Sequence, residues 1–218
     1  MSVVLYTLGT LVLAAASVLG CSGRTSADVA QTPRHQAVAV FIGDSYGQGP
    51  GKWPDLVSEA QDWHEVNLAR GGTGYTVRLS GREAPNGCGL DVCPSFPEMA
   101  AVAVEERADV VVVAGGRNDG GRDISSAAHT LFTSLRAGLP EARIIAVEPM
   151  WDASAYPTFL REYSQIIERE VTTTRGEYLT IGNPLEKRPD LVQADMVHPT
   201  VEGQRALAEA VNRAIDRP

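Results

Sequence analysis

Ala37-Val38-Ala39-Val40-Phe41-Ile42-Gly43-Asp44-Ser45-Tyr46-Gly47 is the stretch whose reading decides the fold. An unbroken apolar run ends abruptly in Asp44 and Ser45. A strand with one wet face alternates apolar and polar residues, and this run does not, so it predicts a strand covered on both faces. Asp109-Val110-Val111-Val112-Val113-Ala114-Gly115 and Ile144-Ile145-Ala146-Val147-Glu148-Pro149 are two more runs of the kind. Weaker strand candidates lie at Glu65 to Ala69 and Tyr178 to Gly182. Helix-like stretches fall between the runs, at about 53–61, 96–107, 123–138, 155–173 and 200–216. In the last of these, Leu207, Val211 and Ile215 share one face with Ala210 and Ala214, and Pro199 suits the helix start. Strands alternating with helices predict an α/β domain, a parallel sheet of about five strands with helices on both faces. In such sheets functional groups gather at the carboxyl ends of the strands.

The residues just after each run therefore matter most. Gly43-Asp44-Ser45-Tyr46-Gly47 comes after the first strand. Asn67-Leu68-Ala69-Arg70-Gly71-Gly72-Thr73-Gly74 comes after the next, and Gly115-Gly116-Arg117-Asn118-Asp119 after the one beyond it. Asp195-Met196-Val197-His198-Pro199 stands just before the final helix. All four polar groups fall at one edge of the predicted sheet. A serine hydroxyl attacks well only when a base takes its proton. His198 is the candidate base for Ser45. Asp195, three residues before it, can accept from one ring nitrogen and leave the other free toward the serine.

Gly43-Asp44-Ser45, Gly72, Gly116-x-Asn118-Asp119 and Asp195-x-x-His198 resemble, in order, the four sequence blocks of the SGNH (GDSL-like) hydrolases. The resemblance covers nearly all of residues 41 to 199. It implies a flavodoxin-like three-layer α/β/α sandwich and ester hydrolysis, on lipids, acylated sugars or thioesters. It assigns catalysis to Ser45, Asp195 and His198. It assigns the oxyanion hole to the backbone N–H groups of Ser45 and Gly72 and the side-chain amide of Asn118, fixed donors of the kind a tetrahedral intermediate needs. The run Gly71-Gly72-Thr73-Gly74 allows a slip of one residue, so Gly71 is a rival donor. Asp44 is expected to be structural, bonding nearby loop amides. Trp151 is a candidate for the groove wall, and the stretch 74–95 for a cover over one side of it.

Composition bounds the rest. The 218 residues suit one domain, with 44% hydrophobic and 21% charged residues, the balance of a globular chain. A net charge of −8 offers nothing to nucleic acid or to an anionic membrane surface. No clustered ligand set suggests a metal, and no Gly-rich loop ends in Lys-Ser or Lys-Thr, so no cofactor is expected. His35, His64 and His129 read as surface or packing residues. The implied partner is a small-molecule, lipid or glycan ester.

Residues 1–20 contain no charged side chain and are mostly apolar from Val3 to Leu19. With Val18-Leu19-Gly20-Cys21 they resemble a signal peptide ending in a lipobox, which implies export and lipidation at Cys21. The absence of Lys or Arg before the apolar stretch departs from that pattern. An uncleaved anchor helix is the alternative. Residues 21–36 read as a tether, and 37–218 as the folded hydrolase domain. Contact with a membrane is expected only through the N-terminal anchor. Cys88 and Cys93, in the turn-rich loop Asn86 to Pro94, are left as a pair, and a disulfide there suits an exported chain. Free thiols are the other reading.

Three rival readings use the same residues. Gly43-Asp44-Ser45-Tyr46-Gly47 also fits the Gly-x-Ser-x-Gly elbow of α/β-hydrolases. Against it, the serine follows the first strand of the domain, and acid and histidine share one loop. Acyl transfer to a sugar hydroxyl would need the same serine, histidine and donors. A catalytically silent envelope binding module would not need Ser45, Asp195 and His198 intact.

Overall fold

Val111, Val112 and Val113 have no exposed surface, as a strand packed on both faces requires. The computed structural model describes residues 36–217. The expected signal segment, Cys21, most of the tether and His35 lie outside the described residues. Along the chain run β1 (Ala37–Gly43), α1 (Trp53–Gln61), β2 (Trp63–Asn67), β3 (Leu79–Ser80), α2 (Ala84–Cys88), β4 (Val92–Cys93) and α3 (Phe96–Glu105). Then come β5 (Val110–Ala114), α4 (Ser125–Gly138), β6 (Arg143–Val147), α5 (Thr158–Thr173), β7 (Glu177–Leu179) and α6 (Val201–Ile215). Five strands form one sheet in the order β2-β1-β5-β6-β7. Every pairing in it is parallel, with Phe41 opposite Asn67 on one side and Val112 on the other.

Successive residues of a strand point to opposite faces, and the two faces build two cores. Val40, Ile42, Val111, Val113, Ile144 and Ala146 pack under α3, α4 and α5, against Met99, Leu131, Phe132 and Ile167. Ala39, Phe41, Val110, Val112, Ile145 and Val147 pack under α1 and α6, against Trp53, Val57, Leu207 and Val211. This is the three-layer α/β/α architecture that the alternation of runs predicts. Counted within the sheet the order is 2-1-3-4-5. The chain leaves β1 toward β2 on one side and returns through α3 to β5 on the other. The crevice opened by that reversal lies beyond the carboxyl ends of β1 and β5.

Local differences from the sequence-based expectation have physical causes. The second strand ends at Asn67, yet pairing with β1 continues through Leu68 N–H to Phe41 O (2.8 Å) and Arg70 N–H to Gly43 O (2.9 Å). The last strand stops at Leu179 because the Glu148 carboxylate takes over, accepting from the N–H groups of Ile181 (3.0 Å) and Gly182 (2.8 Å). The loop around Cys88 contains the short α2, with Pro85 in its first turn, and a small hairpin of β3 and β4. Cys88 and Cys93 are joined by a disulfide with their Cα atoms 5.8 Å apart. Among the described residues no helix is long and apolar enough to cross a membrane. Nor, among them, is any group of His, Cys, Asp and Glu placed to hold a metal ion.

Candidate active site

Ser45 opens a 3-10 turn, Ser45–Gly47, directly after β1. Asp44 caps that turn, its Oδ1 accepting the N–H of Tyr46 at 3.0 Å. Asp44 is buried, and burial pushes its carboxyl up to about 6, against the bond from Tyr46 N–H and the charge of Arg117. Its place behind the turn agrees with the structural role expected for it.

His198 arrives from the far end of the chain. Its loop is held shut by Gln193, whose N–H donates to His198 O (2.7 Å) and whose side-chain amide donates to Pro199 O (2.9 Å). Val192 pairs with Pro199 in an isolated bridge, and Thr200 N–H donates to Leu191 O at 2.9 Å. Inside the loop Met196 takes a left-handed conformation (φ 59°). The Asp195 carboxylate supports that turn, accepting from the N–H groups of Val197 (2.9 Å) and His198 (3.0 Å) through Oδ1. Its Oδ2 lies 2.7 Å from His198 Nδ1. The ring contact first, and then the two backbone donors, hold the Asp195 carboxyl well below the usual carboxylate range. On the other side of the ring, His198 Nε2 lies 3.0 Å from Ser45 Oγ. With Nδ1–H donating to the carboxylate, Nε2 is free to accept the serine proton.

The remaining sequence candidates surround this pair. Gly71, Gly72, Leu79, Arg117 and Asn118 line a cleft of about 470 Å³ together with Ser45 and His198. Among the described residues, no acceptor in the protein takes the N–H of Ser45, Gly71 or Gly72. Gly72 has φ +76°, a conformation that favours glycine, and a Cβ there would also press on Leu79 Cδ1 at 2.9 Å. Asn118 donates one amide hydrogen to Thr73 O at 2.9 Å, which orients the group and leaves its second hydrogen over. Asp119, fully buried, accepts from the N–H groups of Tyr75 (3.0 Å) and Thr76 (2.7 Å) and from the Thr76 hydroxyl (2.7 Å). The turn after β5 is thereby sewn to the glycine loop after β2. Gly74 has to be glycine because a Cβ there would strike the Asp119 carboxylate. A second cleft, of about 640 Å³, opens on the other side of Ser45 and His198, between Gly49, Pro50, Thr200 and Val201.

Two expectations change on contact with the structure. Trp151 stands back from the cleft. The Arg117 guanidinium covers its ring, 3.8 Å from the centroid, and it is Arg117 that reaches the cleft wall. Arg117 is also the residue that sequence reasoning misses, as the unassigned position in Gly116-x-Asn118-Asp119. Its Nη2 donates to Asp152 Oδ2 at 2.9 Å and its Nη1 to the Tyr46 hydroxyl at 3.3 Å. A charge set between two recognisable residues is the available signal. The expected cover over 74–95 is present in part: Leu79, Asn86 and Gly87 form one wall of the cleft. His129, expected as a surface or packing residue, is exposed, with its Nδ1 3.0 Å from Glu170 Oε2.

Residues 41–206 match the GDSL-like lipase/acylhydrolase family. A GDSL lipase of Mycobacterium tuberculosis is 26% identical over 198 residues, covering 82% of this chain and 80% of the relative. Among solved structures, an acetylxylan esterase from Geobacillus stearothermophilus (a catalytic mutant) superposes with a TM-score of 0.57 at 16% identity. It covers 84% of this chain and 95% of its own. A carbohydrate acetylesterase from Sinorhizobium meliloti superposes with a TM-score of 0.57 at 15% identity, over 82% and 98%. At such identities these two structures share the fold.

Proposed function

We propose, from the premise that this chain belongs to the GDSL-like lipase/acylhydrolase family and is a carboxylic ester hydrolase, that it works through an acyl-enzyme on Ser45. The observation that carries the reading is the unbroken contact from Asp195 through His198 to Ser45, at 2.7 Å and 3.0 Å. Ser45 Oγ attacks the ester carbonyl as His198 Nε2 takes its proton. The carbonyl oxygen gains the negative charge and turns toward the N–H groups of Ser45 and Gly72 and the free hydrogen of Asn118. His198 returns the proton to the leaving alcohol. Water, deprotonated by the same nitrogen, then releases the acid. Asp195, ionised throughout, stabilises the imidazolium formed in each step.

The two clefts meeting at Ser45 support a division of labour. The one holding Gly72 and Asn118 receives the carbonyl and acyl group, with Leu79 as its apolar wall. The larger one, bordered by Gln48, Gln193, Thr200 and Glu202, receives the alcohol. That border sets hydrogen-bonding side chains beside the apolar Pro50, Pro199 and Val201, a mixed surface that suits a small-molecule or glycan alcohol. The apolar, uncharged N-terminal segment ending at Cys21 supports export and anchoring by lipid, and the Cys88–Cys93 disulfide agrees with export. Incorporation of labelled fatty acid, lost in Cys21→Ala, checks the anchor; equal labelling of both forms would reject it.

Ser45→Ala should abolish hydrolysis of p-nitrophenyl acetate while leaving the melting temperature near that of the unaltered protein. Wild-type turnover in that variant would reject the assignment. A fluorophosphonate should label Ser45 in the folded protein.

A further inference from the structure

We propose that Tyr46, tensioned by Arg117, is the positioning residue that sets the approach of His198 to Ser45. The inference rests on the catalytic reading of that pair and adds the device that holds it. Ser45 and His198 are 153 positions apart and sit on separate loops. A distance fit for proton transfer therefore depends on how those loops are tied together, and Tyr46 makes the tie.

Besides the bond it receives from Arg117, this one residue makes three others. Its N–H is held by Asp44 Oδ1 at 3.0 Å. Its carbonyl accepts from Gln204 Nε2, in α6, at 3.0 Å, and Gln204 Oε1 accepts the N–H of Trp53 at 2.9 Å. Its hydroxyl donates to Val197 O at 2.6 Å, one residue before His198. The nucleophile turn is thus pinned to the base loop on one side and to the helix after that loop on the other. Burial pushes the Tyr46 hydroxyl well above the ordinary tyrosine range, so it stays a donor at any working pH.

Arg117 supplies direction. Its guanidinium is clamped between the Trp151 ring and the Asp152 carboxylate, which in turn accepts from Ser154 N–H at 2.8 Å. From that fixed seat it donates to the Tyr46 oxygen, so the hydroxyl hydrogen has to point elsewhere, and Val197 O is where it points. The chain Asp152–Arg117–Tyr46–Val197 joins the loops after β6, β5 and β1 to the histidine loop. A tyrosine directly after the nucleophile does here what a leucine could not, because only the hydroxyl reaches across.

Tyr46→Phe removes one oxygen and tests this. Turnover of p-nitrophenyl acetate should fall about tenfold in kcat, the order supported by one lost hydrogen bond. KM should stay within about twofold, and fluorophosphonate labelling of Ser45 should slow in step with kcat. Arg117→Met should lower kcat in the same sense. The double variant should lose little more than the worse single, as expected of two members of one chain. Unchanged kcat in folded Tyr46→Phe overturns the proposal. So does a loss confined to KM, which would make Tyr46 a substrate contact, and so does a lowered melting temperature with full turnover. If Tyr46→Phe does not fold, unchanged kcat in Arg117→Met overturns it instead. Ser45→Ala, run alongside, separates the two failures: activity in that variant sinks the catalytic reading itself, whereas an inactive Ser45→Ala beside a wild-type Tyr46→Phe sinks only the pin.

Discussion

Asp44 and Asp195 both stand beside Ser45 and His198, and their surroundings push them in opposite directions. Asp195 is open to water and gathers three donors, so its carboxyl is held low and it stays ionised. Asp44 is buried, and its carboxyl is pushed up to about 6. Linkage gives this shift a sign. Below the unfolded value near 3.8 the group is neutral in both states and costs nothing. As pH rises toward about 6 the unfolded chain ionises while the native one resists, so stability is lost across that window and the loss persists above it. Asp44→Asn keeps an acceptor for Tyr46 N–H and has no proton to lose. It should therefore gain stability relative to the parent between about pH 4 and about pH 7. Denaturant titrations at the two pH values measure this, and a constant difference would contradict it. Asn118 makes a separate prediction. In the proposed mechanism Asn118 is an oxyanion donor, and removing one such donor costs on the order of a hundredfold in turnover, so Asn118→Ala should show that loss in kcat against p-nitrophenyl acetate. An unchanged rate would remove Asn118 from the site.

At the scale of elements, boundaries obey caps more closely than hydrophobic periodicity. The pattern predicts a helix from about 155, but α5 starts at Thr158, because Pro157 occupies the cap in an extended conformation. The final helix is expected from about 200 and begins at Val201, with Thr200 as its cap. The Thr200 hydroxyl accepts the N–H of Gly203 at 3.1 Å, and Thr200 N–H binds Leu191 O. This cap therefore fastens α6 to the segment leading into the histidine loop. Thr200→Ala should cost about 1 kcal/mol of stability, and Thr200→Ser should recover most of it. Equal unfolding midpoints for all three would show that the cap contributes nothing. The small hairpin of β3 and β4 and the helix α2 are not legible in the sequence. They are too short for a period to register, and a disulfide with a few backbone contacts holds them.

For the whole molecule, the decisive feature is the reversal of strand order between β1 and β5, which opens one crevice at the sheet's carboxyl edge. Ser45, Gly72 and Asn118 each follow a strand that ends at that edge, and the loop between β7 and α6 brings His198 to it. The order of these residues along the chain and the alternation of apolar runs with helical stretches are local properties, readable because burial on both faces of a strand leaves no polar alternation. The chain by itself therefore determined the layered α/β fold, the edge at which polar groups collect, and which serine, histidine and carboxylate come together there.

Tertiary structure alone decided how those groups are held. The 2.6 Å bond from Tyr46 to Val197, the seat of Arg117 on Trp151, and the burial of Asp119 under the glycine loop join residues with no sequence period between them. Such contacts depend on which side chains face each other after the sheet twists and the loops close. Periodicity reports the face a residue takes within its own element, and a hydrogen bond between two elements depends on where both come to rest.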